Sequence, residues 1–180
     1  MKLSSDDWLP SQQYHALHGA YLSWLERIPA QIIVHGNFRM GRSYRHDDGD
    51  GFKPLTLEVA QNAIEKSFMK RASRRIFGTK RIDLGERLLF GGMIEGDAQP
   101  DFTGRPRYHA HFGIAGIPDE QSTTELCKEY KEYWESMHWG YGNSLVEPCF
   151  GDQWRRYALK HFNPNLTERF VTNVPFEPVS

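Results

Sequence analysis

The chain has 180 residues, 39% apolar and 25% charged, with a formal net charge of −1. That suits one globular domain with a substantial core, and it leaves a nucleic-acid partner to depend on where the cations sit rather than on their total. Cys127 and Cys149, the only two cysteines, argue against a disulfide scaffold and fit a reducing compartment. No apolar run is long enough for a membrane span, and the polar, acidic stretch Met1 to Pro10 is unlike a secretory signal.

In chain order, Ser11 to Ile28 reads as a helix with a partly apolar face (Ala16, Tyr21, Leu22, Trp24, Leu25, Ile28), ended by Pro29. Gln31 to Phe38 reads as a strand. Gly41 to Lys53, charged and glycine-rich, reads as a loop. Leu55 to Phe77 reads as a long helix opened by Pro54 and closed by Gly78. Its cations Lys66, Lys70 and Arg74 step by four and share a face, with Arg71 and Arg75 beside them. On its own such a stripe is a solvated face; with a nucleic-acid partner it would track phosphates.

Arg87 to Gly96 and Arg107 to Ile117 read as two strands of a hairpin with a long, turn-rich connection. A helix is expected over Thr123 to Met137 and a short strand over Ser144 to Cys149. A last helix is expected over Asp152 to Phe162, with Asp152 as N-cap and Pro164 beyond its end. The order predicts an α+β fold, a central antiparallel sheet flanked by helices. Residues 1–29 are expected to form a helical segment packed on a main domain of residues 30–165, with 166–180 as a C-terminal tail of the same single domain.

Arg107-Tyr-His-Ala-His-Phe-Gly-Ile114 carries the most chemical information. Side chains alternate along a strand, so His109 and His111 share one face while Tyr108, Ala110, Phe112 and Ile114 share the other. The two imidazoles stand about 7 Å apart along the backbone, at roughly 3.3 Å per residue, and can converge on one ion. A third ligand is needed. If the hairpin pairs, Glu95 at the end of the preceding strand comes close to His109. Two imidazoles and a carboxylate suit Mn²⁺, Mg²⁺ or Zn²⁺. In Trp154-Arg-Arg-Tyr-Ala-Leu-Lys-His161, helical spacing puts Tyr157, Lys160 and His161 on one face. A phenol with an ammonium one turn on is a reasonable pair for phosphoryl transfer.

Taken in order, these segments resemble the HUH endonuclease superfamily, in particular single-tyrosine rolling-circle replication initiators (Rep proteins). His109-Ala110-His111 followed by Phe112 looks like the family's paired-histidine motif. Glu95 looks like its acidic third ligand, and Tyr157-Ala-Leu-Lys160 looks like its tyrosine motif. Trp139 to Glu147 looks like the link between the last two. The likeness runs from about Ala30 to Phe162. The family's first motif would fall on Ile32 to Phe38, where Asn37 fits loosely and the usual threonine is missing. His161 stands where two-tyrosine initiators carry their second tyrosine. No Gly-X4-Gly-Lys-Ser/Thr phosphate loop occurs in these residues, so a helicase domain of the viral Rep kind is not expected within them.

The resemblance implies a Rep/relaxase-like, RRM-related fold and a metal-dependent endonuclease that nicks and rejoins single-stranded or hairpin origin DNA. In that scheme Glu95, His109 and His111 hold Mn²⁺ or Mg²⁺, which polarises the scissile phosphate. Tyr157 forms a 5′-phosphotyrosine link and Lys160 supports the developing charge. Lys66, Lys70, Arg71, Arg74, Arg105, Arg107, Arg155 and Arg156 would contact the DNA backbone. A host helicase and polymerase are expected partners, a homo-oligomer is compatible, and no membrane is involved. The expected location is the cytoplasm of a bacterial or archaeal host, or the replication compartment of a host cell. The same parts would serve a transposase or a relaxase; a binding module without chemistry would need none of them together.

Overall fold

The computed structural model describes residues 11–39, 41–46, 49–96, 108–160 and 169–175. In chain order the elements are helix α1 (Ser11–Glu26), strand β1 (Ile32–Asn37), strands β2 (Gly41–His46) and β3 (Gly49–Pro54), and helix α2 (Leu57–Asn62). A π-helical segment (Ala63–Phe68) and helix α3 (Met69–Asp83) continue from α2. Then come β4 (Leu89–Glu95), β5 (His109–Ala115), α4 (Thr123–Ser136), β6 (Leu145–Pro148), α5 (Gln153–Ala158) and β7 (Phe170–Thr172). Five strands form an antiparallel sheet in the order β6-β1-β5-β4-β7, so the domain is α+β, as the sequence predicts.

The sheet is covered on both faces, and strand alternation decides which residues go where. Ala110, Phe112 and Ile114 of β5 join Ile32 and Val34 of β1 in one core, with Ile64, Phe68, Met69 and Ala72 from the long helical run and Leu126, Tyr130 and Trp134 from α4. Ala115 joins the other core with Trp24, Leu25 and Ile28 of α1 and Trp154 and Ala158 of α5. Glycines let the helices sit close. A Cβ on Gly36 would lie 2.2 Å from the Trp134 ring, and one on Gly113 would lie 2.8 Å from the Trp154 ring. Trp134 also donates its indole N–H to the Asn37 carbonyl at 2.9 Å, which pins α4 to the end of β1.

Several expectations need correction. Gly41 to Lys53 is not a loop: β2 and β3 pair as an antiparallel hairpin, with Arg42 opposite Lys53 and Tyr44 opposite Gly51. Glycine and charged residues mark turns and strand ends alike, which is why these residues read as a loop. The long helix does not stop at Gly78. That residue adopts φ 75° and breaks the regular helix, but helical turns resume and run to Asp83. The last helix is shorter than expected and ends at Ala158. Asp152 makes no side-chain cap; its carboxylate pairs with Arg155 at 3.0 Å instead. The helical reading of Leu55 to Phe77 does gain a true cap, since Thr56 accepts from the Val59 N–H at 3.3 Å.

The tail contributes to the sheet. β7 pairs with β4, and Phe170 stacks on Tyr21 of α1 with centroids 4.1 Å apart. Trp24 donates to the Val174 carbonyl at 3.3 Å, so the same short segment ties α1 to the sheet edge. Among the described residues, no helix is long and apolar enough to cross a membrane.

Candidate metal centre and adjoining tyrosine

The hairpin register sets the first part of the site. Glu95 at the end of β4 lies directly opposite His109 at the start of β5, as the hairpin reading requires. His109 Nε2 is 3.0 Å and His111 Nε2 3.5 Å from the same oxygen, Glu95 Oε2. One ligand atom from each of the three residues lies within 4.8 Å of the others, so Glu95, His109 and His111 form a group that can hold a metal ion. Glu95 and His111 are buried, at 3% and 6% exposure.

The polar atoms around this group also fit an ion. Glu95 Oε1 and His111 Nε2 are buried and make no hydrogen bond among the described residues. Such orphaned groups are costly unless something fills their coordination. A carboxylate and two imidazoles whose ligand atoms lie within 4.8 Å of one another are a donor set for a divalent cation.

The electrostatics are those of a compact charge cluster. Burial alone would push the Glu95 carboxyl up, but the close approach of the His109 and His111 imidazoles, with the positive field of Lys160, brings it down to about 2. Burial lowers His111, partly offset by Glu95. Burial, with the nearby His111 and Lys160, lowers His35 to about 4. Both of these imidazoles are therefore neutral near pH 7, the form that can ligate or accept a proton.

The second part of the site comes from α5, on the face of the sheet that carries the histidines. His109, His111 and Gly113 alternate on that face, and Trp154 lies over Gly113. Tyr157, one helical turn on, then falls against His111. The two rings meet edge to face with centroids 4.9 Å apart. Tyr157 is 44% exposed, so it borders the buried cluster while facing solvent. Lys160 follows in the turn after the helix, its N–H bonded to the Tyr157 carbonyl at 3.2 Å. Its Nζ stands 3.8 Å from the centroid of the Tyr157 ring. The Tyr157–Lys160 pairing thus arises from a turn rather than from a continuing helix. His161 lies outside the described residues.

His35 was not singled out in the sequence, yet it sits directly opposite His111 on β1. The two Nδ1 atoms are 2.6 Å apart. Its ring also meets Tyr157 edge to face at 5.0 Å. The signal that could have found it is the pairing of β1 with β5, which is not legible in local sequence.

The remaining predicted contacts scatter. Lys66, Lys70, Arg71 and Arg74 ride on the helical run packed against the sheet face opposite His109 and His111. Arg71 is engaged there, donating to Ser136 at 2.9 Å and lying 3.9 Å from the centroid of the Tyr133 ring. Lys66 and Lys70 border a separate cleft of about 390 Å³ with Arg87 and Asn173. Arg155 and Arg156 flank the tyrosine on α5, Arg156 exposed and Arg155 paired with Asp152. Arg105 and Arg107 lie outside the described residues. On the metal side, a cleft of about 490 Å³ opens beside His109, lined by Asn37, Tyr108, Tyr141 and Asn143. Comparison with family models, with curated proteins and with solved structures returned no match.

Proposed function

We propose that this chain is a metal-dependent nicking and joining endonuclease for single-stranded DNA, with the HUH fold and chemistry of a rolling-circle initiator. One observation carries the reading: a half-exposed tyrosine packs 4.9 Å from the ring of a histidine that itself belongs to a buried Glu95–His109–His111 cluster. A structural tyrosine has no need of that neighbour, and a metal site alone has no need of the tyrosine.

A divalent ion, Mn²⁺ or Mg²⁺, held by Glu95, His109 and His111 would supply charge neutralisation at the scissile phosphate. The chain's own residues do the rest. The Tyr157 oxygen forms a bond to phosphorus as the bond from phosphorus to the 3′-oxygen breaks. The phenolic proton leaves and the 3′-oxygen gains one, giving a free 3′-hydroxyl and a 5′-phosphotyrosine. A 3′-hydroxyl attacking that ester reverses the step and reseals the strand. Lys160, whose field already reaches Glu95, His35 and His111, holds positive charge beside the tyrosine. The cleft beside His109 falls within the roughly 300–1,000 Å³ of small-molecule sites, room for an unpaired nucleotide next to the cluster.

The test is a denaturing gel after incubation with Mn²⁺ and labelled single-stranded oligonucleotides, drawn from hairpins flanking the protein's own gene. A heat-stable protein–DNA adduct is expected, lost with Tyr157→Phe and with chelator. Oligonucleotide binding without any adduct in the natural protein overturns the reading.

A further inference from the structure

Two imidazole nitrogens 2.6 Å apart cannot both carry a proton or both lack one; one donates and the other accepts. That constraint falls on His35 and His111, which face one another across the β1–β5 ladder. His111 presents its other nitrogen, Nε2, to Glu95 at 3.5 Å, where that nitrogen makes no hydrogen bond among the described residues. To ligate a metal through Nε2, a neutral imidazole must keep its proton on Nδ1. The only geometry compatible with the 2.6 Å contact then has His111 Nδ1–H donating to His35 Nδ1, with the His35 proton on Nε2.

We propose that His35 is a positioning residue for the metal centre: it accepts the Nδ1 proton of His111 and so fixes the tautomer that frees His111 Nε2 for the ion. Ligating histidines commonly hand their second N–H to a carboxylate, a carbonyl or water. Here a neutral imidazole does it. The strand holding His35 is fixed for the task. Trp134 covers Gly36, the next residue, and bonds the Asn37 carbonyl at 2.9 Å. The same His35 ring meets Tyr157 at 5.0 Å and 86°, so one side chain backs both the ligand and the tyrosine.

This inference rests on the metal centre in the proposed function but not on DNA chemistry, so it is tested with the metal alone. Mn²⁺ affinity is measured by calorimetry on the full chain and on two variants. His35→Phe keeps a ring against Tyr157 but has no acceptor. His35→Asn places an oxygen near the position of Nδ1. His35→Phe is expected to weaken Mn²⁺ binding roughly 10–100-fold, with His35→Asn returning most of the loss. Equal affinity in His35→Phe and the natural protein, with both folded by thermal melting, overturns the proposal. So does equal loss in both variants.

A measurement on the natural sequence stands in if His35→Phe fails to fold. With Zn²⁺ as a diamagnetic probe, long-range ¹H–¹⁵N spectra should show His111 protonated on Nδ1 and His35 on Nε2; the reverse assignment overturns it. The adduct gel and these measurements fail independently. A chain that never forms an adduct but shows the affinity split keeps His35 in its role and loses the nicking reaction.

Discussion

Gly113→Ala tests how α5 is placed. The added methyl would lie 2.7 Å from the Ala30 Cβ and 2.8 and 2.9 Å from two Trp154 ring atoms. Carbon atoms settle at about 3.5–4.0 Å, so the Trp154 ring, the freer neighbour, must retreat by roughly 1 Å. Overpacking of this size costs about 2 kcal/mol, or roughly 4–8 °C in Tm for a domain of this length. Tyr157 is one turn along the same helix and moves with it. A displacement of about 1 Å in a reacting group can cost on the order of 100-fold in rate. Glu95, His109 and His111 sit on β4 and β5, and the register of those two strands sets their spacing. The expected result is therefore split: Mn²⁺ affinity by calorimetry close to the natural value, adduct formation slowed about 100-fold. Adding Trp154→Phe should recover part of both the Tm and the rate. An unchanged adduct rate and Tm in Gly113→Ala would refute the placement of α5 through Trp154, and a matching loss of metal affinity would show that the helix and the cluster are not separable.

Acid should weaken the chelator-treated protein in two windows. His35, held down at about 4 against 6.5 when free, leaves the unfolded chain binding more protons between those values, so stability falls as pH drops from 6.5 to 4. Glu95, held at about 2 against 4.5, continues the fall from about pH 4.5 to 2. Urea midpoints across pH should show His35→Asn flattening the upper window and Glu95→Gln the lower. Lys160→Ala should slow adduct formation on the order of 10²-fold, as removal of a charge-stabilising group does, while leaving oligonucleotide binding nearly intact in a filter assay. Replacing Lys66, Lys70 and Arg74 together with Gln should leave the adduct rate unchanged, because these cations stand on the far side of the sheet; a large loss would mean the DNA wraps around the sheet edge.

Strand alternation made much of the metal cluster legible. The two-residue spacing of His109 and His111 fixes a shared face, and a hairpin brings Glu95 back to His109, both consequences of local geometry. Tyr157 and Lys160 were legible as a spacing, although the spacing turned out to be a helix end and a turn. His35 was not legible. Its partner is 76 positions away, and nothing near either residue says that β1 lies beside β5. The cationic stripe fails for a related reason. Periodicity tells which face of a helix is polar, but not which face of the sheet the helix covers, and Phe68, Met69 and Ala72 put it behind Phe112. The Gly41–Pro54 hairpin was missed because glycine and aspartate mark turns and strand ends alike.

The cluster and the tyrosine also belong to parts of the molecule with different resistance to opening. β5 is the central strand, hydrogen-bonded on both sides, whereas α5 is six residues long and leans on the sheet through Trp154 and Ala158. Amide exchange would be slowest along His109–Ala115 and far faster along Gln153–Ala158, since short peripheral elements open at a small fraction of the global cost. Local opening of α5 would then carry Tyr157 with it while Glu95, His109 and His111 stay on their strands. In the proposed reaction, a tyrosine mounted this way would carry an attached DNA end outward without dismantling the cluster behind it.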